Sequence, residues 1–146
     1  MRIAVVNGPN LNLLGTREPA LYGRETLDDI ERSLRAVATE IGAELQFSQH
    51  NGEGQMIDSI HALRGAVDGV VINAGAYTHS SLAIRDALSA IEVPFVEVHI
   101  TNVYAREPER RHSMLAPAAM GSICGLGPYG YELALRGLAR ALAARD

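Results

Sequence analysis

Five short apolar runs alternate with segments whose apolar residues recur every three or four positions, and this alternation limits the chain to few folds. The runs lie at 2–7, 43–49, 69–73, 94–99 and 121–125. The first helical segment opens at Thr26, with Asp29 three residues on as a capping partner. Leu27, Ile30, Leu34, Val37 and Ile41 then share one face, and Gly42 ends it. A second helix is expected over 55–64, with Met56, Ile57, Ile60 and Leu63 inward. A third is expected over 81–91, with Leu82, Leu88 and Ile91 apolar, and a last over 129–144, with Leu135, Leu138 and Leu142 on one side. The first, third and fifth runs are almost continuously apolar or small, as in strands covered on both faces.

Alternating strands and helices predict an α/β fold with a parallel sheet and right-handed crossovers. Five strands fit the flavodoxin-like three-layer sandwich of order 2-1-3-4-5, chosen from the known architectures of this class. Ligands of such sheets bind beyond the carboxyl ends of the strands. Polar residues collect there: Asn7 and Asn10 after the first run, Asn73 after the third, and His99 ending the fourth.

The chain has 146 residues and reads as one domain over 1–146. Its net charge of −4, without blocks of like charge, argues against a nucleic-acid partner. No run approaches the ~20 apolar residues of a membrane span, and the N-terminus lacks a signal pattern, so a cytoplasmic location with no membrane partner is expected. A lone cysteine, Cys124, leaves no intrachain disulfide and no multi-thiolate zinc site, and its apolar surroundings read it as a small buried hydrophobe. All 13 basic residues are arginine. Without lysine, neither a Schiff-base mechanism nor a Walker A loop is available.

The long loop from Val6 to Gly23 has no helix or strand pattern and carries Asn10, Arg17 and Tyr22. A phenol beside a guanidinium is a candidate base, because positive charge favours a phenolate. The alternative is a surface loop with an aromatic anchor. Residues 73–81 supply small residues, a helix N-terminus and His79, either a ligand contact or a helix-cap neighbour. Glu97 and His99 share one strand face by period two, costly in a buried strand unless paired or used. Arg106 and Arg110 follow in the polar stretch 100–117, where arginine forks match a small anion. A metal site built from His79, Glu97, His99 and His112 is a rival reading, though no local two-ligand motif occurs. Gly125, Gly127 and Gly130 match GxGxxG, but the unit that would complete a dinucleotide fold is missing; they read as a turn with close helix packing.

Together the motifs resemble type II 3-dehydroquinate dehydratase. They are Asn7-Gly8-Pro9-Asn10 through Gly15, Arg17, Pro19, Tyr22 and Gly23; Asn73-Ala74-Gly75 with Thr78-His79; Arg85-Asp86; and Val96 through Asn102. Arg106-Glu107, Arg110, His112-Ser113, Gly125-Leu126-Gly127 and Gly130-Tyr131 complete the set across essentially the whole chain. The resemblance implies dehydration of 3-dehydroquinate to 3-dehydroshikimate without metal or cofactor, in the shikimate pathway or in quinate breakdown.

It further implies Tyr22 as the base for the C2 proton, aided by Arg17 and Arg106, with Asn10 stabilising the enolate. His99 would protonate the departing C1 hydroxyl, supported by Glu97. Ile100 and Thr101 would grip the substrate carboxylate, while Asn73, His79 and Arg110 hold ring hydroxyls. Asp86 would reach a neighbouring subunit's site, implying a homo-oligomer with a trimer as minimal unit and a dodecamer, a tetramer of trimers, as full assembly. The Arg17–Tyr22 segment would act as a mobile lid. Thr101 replaces the family's usual serine but keeps the hydroxyl, Pro108-Glu109 departs from the common pattern before Arg110, and so does the loop at His50-Asn51-Gly52. A competing reading is a flavodoxin-like binding or assembly protein without turnover.

Overall fold

In a computed structural model describing residues 1–146, five strands form one parallel sheet in the order β2-β1-β3-β4-β5. The strands are β1 (Arg2–Asn7), β2 (Glu44–Gln49), β3 (Gly69–Asn73), β4 (Phe95–His99) and β5 (Gly121–Cys124). The helices are α1 (Pro19–Tyr22), α2 (Leu27–Ile41), α3 (Glu53–His61), α4 (Leu82–Ala90) and α5 (Tyr129–Ala143). This is the flavodoxin-like order chosen for five strands from the known architectures of this class.

Strand periodicity divides the core between two faces of the sheet. Ile3, Val5, Val71, Val96 and Val98 pack with α2 and α5, while Ala4, Val6, Val70, Ile72 and Phe95 pack with α3 and α4. Each buried Val, Ile or Phe among these contributes about 1.5–3 kcal/mol. Glu97 and His99 lie two and four residues beyond Phe95, so the same alternation turns both toward the α3–α4 face.

The expected capping box forms at α2: Thr26 Oγ1 accepts from the Asp29 N–H at 3.1 Å, and Asp29 Oδ2 accepts from the Thr26 N–H at 3.0 Å. Ser81 Oγ caps α4 by accepting from the Ile84 N–H at 3.0 Å. No helix is long and apolar enough to cross a membrane.

Several expectations need correction. β5 is an edge strand whose Gly121 and Ser122 are exposed, so it is not covered on both faces, and Cys124 is only partly buried. It stops before Gly125, whose φ of +88° cannot continue a strand. β2 begins at Glu44 and β4 at Phe95; Pro94 has no N–H for a ladder, although its carbonyl accepts from Val70. α3 starts earlier than expected, capped by Gly52, and ends at His61. Leu82 at the start of α4 faces outward, and Ile84, Ala87 and Leu88 are its inward positions.

The long loop after β1 also holds more structure than its composition suggests. A 3-10 turn covers Leu11–Leu13, and α1 occupies Pro19–Tyr22. Pro19 pre-sets the first helical φ, the left-handed Glu18 (φ 39°) turns the chain into it, and Gly23 (φ 84°) ends it.

Candidate active site

β1 and β3 run in register from Ile3 opposite Gly69 to Asn7 opposite Asn73, so their carboxyl ends finish level. Two loops leave these ends and touch at once: the Gly8 N–H donates to the Asn73 carbonyl at 2.7 Å. A Cβ on Gly8 would lie 2.3 Å from the Ala74 oxygen, so only glycine permits this approach. Above the crossing lies a cavity of about 170 Å³. It opens at the carboxyl ends of the strands, where the fold class places ligands.

Tyr22 lines one wall with Arg17 and Arg106. Arg106 Nη1 donates to the Tyr22 hydroxyl at 2.9 Å, and the Arg17 guanidinium carbon lies 4.9 Å from the centre of the phenol ring. Arg106 also donates to Thr101 Oγ1 at 3.4 Å, which ties this wall to the end of β4. Negative charge developing on the phenolic oxygen would therefore meet a donated N–H and two guanidinium groups.

His99 also lines the cavity, from the end of β4. Its Nε2 lies 2.7 Å from Glu97 Oε1, and Glu97 is wholly buried. Nδ1 is thus the ring nitrogen left for a ligand. The His79 ring stacks beside it, with centroids 6.2 Å apart. His79 Nδ1 lies 2.8 Å from the His112 carbonyl, which can only accept, so Nδ1 carries the proton and Nε2 is the free acceptor. Burial holds His79 below its ordinary value against the opposing bond to the His112 carbonyl, and the Arg110 charge pushes the same way as burial, so the neutral form is favoured.

Ile100 and Thr101 follow His99 and line the cavity, and neither backbone N–H donates within the chain. Two successive N–H groups without a partner in the chain are available to a bound anion. The glycine motif after β5 supports this turn. The Gly125 and Gly127 N–H groups donate to the carbonyls of His99 and Ile100, and Gly127 adopts φ +64°. A Cβ on Gly130 would sit 3.4 Å from Val98, so the motif serves the turn and helix packing.

Arg110 also reaches the cavity despite the unusual Pro108-Glu109. Pro108 starts a one-turn 3-10 helix, Pro108–Arg110, and Glu107 accepts from Arg110 Nε at 3.0 Å. Asn73 borders the cavity but is held from behind: its Nδ2 donates to the Tyr131 hydroxyl at 2.9 Å, and its Oδ1 accepts from the Gly75 N–H. One amide hydrogen remains for a ligand. Asn10, also on the cavity, sits in a left-handed conformation with φ 69°. Asp86 is exposed on α4 and does not line this cavity. The four residues of the metal reading do not form a ligand set, because Glu97 faces His99 Nε2 and His79 Nδ1 faces a carbonyl.

Three supporting residues had no role in the sequence reading. Asn51 Oδ1 accepts from the Asn10 N–H at 3.0 Å and from Gln49 Nε2 at 2.9 Å, holding the left-handed turn. The Tyr131 hydroxyl donates to Asn7 Oδ1 at 2.6 Å. Complete burial pushes that phenol far up, so it remains a neutral donor. Ser113 Oγ lies 2.7 Å from Glu97 Oε1. Ser113 and Tyr131 stand inside motifs that carried the resemblance, which was their only signal.

The family model for class II dehydroquinases matches residues 1–139. The 3-dehydroquinate dehydratase of Gemmatimonas aurantiaca is 64% identical over 97% of this chain and 93% of its own. The catabolic 3-dehydroquinase of Emericella nidulans is 56% identical over 94% of this chain and 90% of its own. The crystal structure of the type II dehydroquinase from Propionibacterium acnes superposes with a TM-score of 0.91 at 44% identity, covering 95% of this chain and 96% of that one. A family match spanning nearly the whole sequence, with a structural superposition over 95% of the chain, places it in the class II dehydroquinase family.

Proposed function

We infer that this chain dehydrates 3-dehydroquinate to 3-dehydroshikimate by an anti elimination through an enolate. The observation that carries the mechanism is that Tyr22 and His99 open into one cavity, the first against two guanidinium groups and the second against a buried carboxylate. Tyr22, as phenolate, takes the C2 proton next to the ketone. The enolate that forms is stabilised by Asn10, directly or through water. His99 then delivers a proton from Nδ1 to the C1 hydroxyl, which leaves as water. The free N–H groups of Ile100 and Thr101, with the Thr101 hydroxyl, hold the carboxylate. Asn73, His79 through Nε2, and Arg110 hold the ring hydroxyls. Arg17 moves with the lid that closes over the ring and excludes water.

No step needs a metal or cofactor, because the ketone already acidifies the C2 hydrogen and the protein supplies both acid and base. The exposed Asp86 fits a residue that completes a neighbour's site, in a trimer and in a dodecamer built from four trimers. A cytoplasmic location and a single domain over 1–146 complete the reading. The reaction serves either aromatic biosynthesis or quinate breakdown, and one of the relatives above is named as a catabolic enzyme.

Mixing the protein with 3-dehydroquinate and following the enone absorbance tests the activity. A rise is expected; no rise at high protein concentration would end the reading.

A further inference from the structure

Ser113 is placed so that its hydrogen bonds can run in only one direction. Its Oγ accepts from the Leu115 N–H at 3.1 Å and from the Ala116 N–H at 3.0 Å, which fills both lone pairs. Its single proton must therefore go to Glu97 Oε1, 2.7 Å away. The same oxygen faces His99 Nε2 at 2.7 Å. Glu97 Oε1 already receives the serine proton, so it is a poor place for another. Glu97 Oε2 is buried without a hydrogen-bond partner, so a proton placed there would gain nothing.

We propose that Ser113 is a positioning residue that keeps the proton shared by His99 and Glu97 on the imidazole, so that His99 faces the cavity as a charged acid. Without the serine hydroxyl, Glu97 Oε1 can carry the proton itself and donate it to Nε2. His99 would then present a neutral ring, whose Nδ1 hydrogen is a far weaker acid than that of an imidazolium. The surroundings allow the charged form. His79, stacked against His99, is neutral, and the Arg106 and Arg110 charges across the cavity are engaged by Tyr22 and Glu107. Arg17, Tyr22 and, on the neighbouring strand, Cys124 are the other ionisable groups near the ring.

The catalytic part rests on the lyase reading, so the first readout is independent of turnover. The nitrogen-15 spectrum of histidine-labelled protein reads protonation at His99 Nε2. In wild type and in Ser113→Thr, which keeps the hydroxyl, Nε2 is expected to be fully protonated; in Ser113→Ala its signal should move toward that of a bare nitrogen. With 3-dehydroquinate, Ser113→Ala should lose about a hundredfold in kcat with KM within about twofold, the low end of an acid's contribution, and Ser113→Thr should restore it. If the alanine variant does not fold, Ser113→Cys, a weaker donor of similar size, should show the same shift to a smaller degree. An unmoved Nε2 signal in a folded alanine or cysteine variant would overturn the proposal, whether or not the chain turns over substrate.

Discussion

Tyr22 and His99 open into the same cavity from different kinds of structure. Tyr22, half-buried after the exposed residues 18–21, ends a single helical turn in a long connection, and its hydroxyl is held by the side chain of Arg106. His99 ends a strand that is buried along its whole length, and its partner Glu97 has no exposure to solvent. In the proposed mechanism the base therefore stands on a helical turn outside the sheet, while the acid is part of the core. The contrast suits the chemistry. The proposed lid must open to admit a ring bearing a carboxylate, whereas a charged pair inside a protein is stable only if its partners stay in place.

The contrast is sharpest in two substitutions of similar effect on rate. Tyr22→Phe removes the base and should lower kcat by about 10²- to 10⁴-fold. Melting should barely change, since the only hydrogen bond lost is the one from Arg106, which keeps Thr101 as a partner. His99→Ala should lower kcat on the same scale and also destabilise the chain by about 3 kcal/mol, because it leaves Glu97 buried without its counter-charge. Thermal unfolding of both variants checks this, and equal melting temperatures would break the comparison.

Tyr131→Phe probes the core side more gently. It leaves Asn7 Oδ1 and one hydrogen of Asn73 Nδ2 unpaired in a buried site. A stability loss of about 1–3 kcal/mol is expected in denaturant unfolding. KM for 3-dehydroquinate should rise several-fold as Asn73 loses its fixed orientation.

The smallest effect concerns His79, which burial keeps below its ordinary value of 6.5. The folded chain favours neutral His79, so the unfolded chain binds a proton first as pH falls. Its contribution is fully present above about pH 6.5 and is lost as pH drops through the lower folded value. The melting temperature of His79→Gln should therefore fall less steeply below that pH than that of wild type; parallel curves would remove His79 from the balance.

What could be read in advance follows from the range of each interaction. The Thr26–Asp29 box and the shared face of Glu97 and His99 depend on residues two or three apart, and both were legible. The bond from Asn10 to Asn51 spans 41 positions and that from Tyr131 to Asn7 spans 124, so no local pattern could reveal them. The exposure of Cys124 depends on β5 lying at a sheet edge, a fact of strand order that an apolar run cannot express. The α1 turn was hidden because its N-cap, Glu18, adopts a left-handed conformation unusual for its type.

The division of labour between lid and strand is tested most directly by 3-dehydroquinate carrying deuterium at one C2 position only, with the product weighed by mass spectrometry. The account predicts loss of the label when it lies on the ring face opposite the departing C1 hydroxyl, and retention when it lies on the same face. Loss from the hydroxyl's own face would mean that one group serves both ends of the elimination, and would contradict separate roles for Tyr22 and His99.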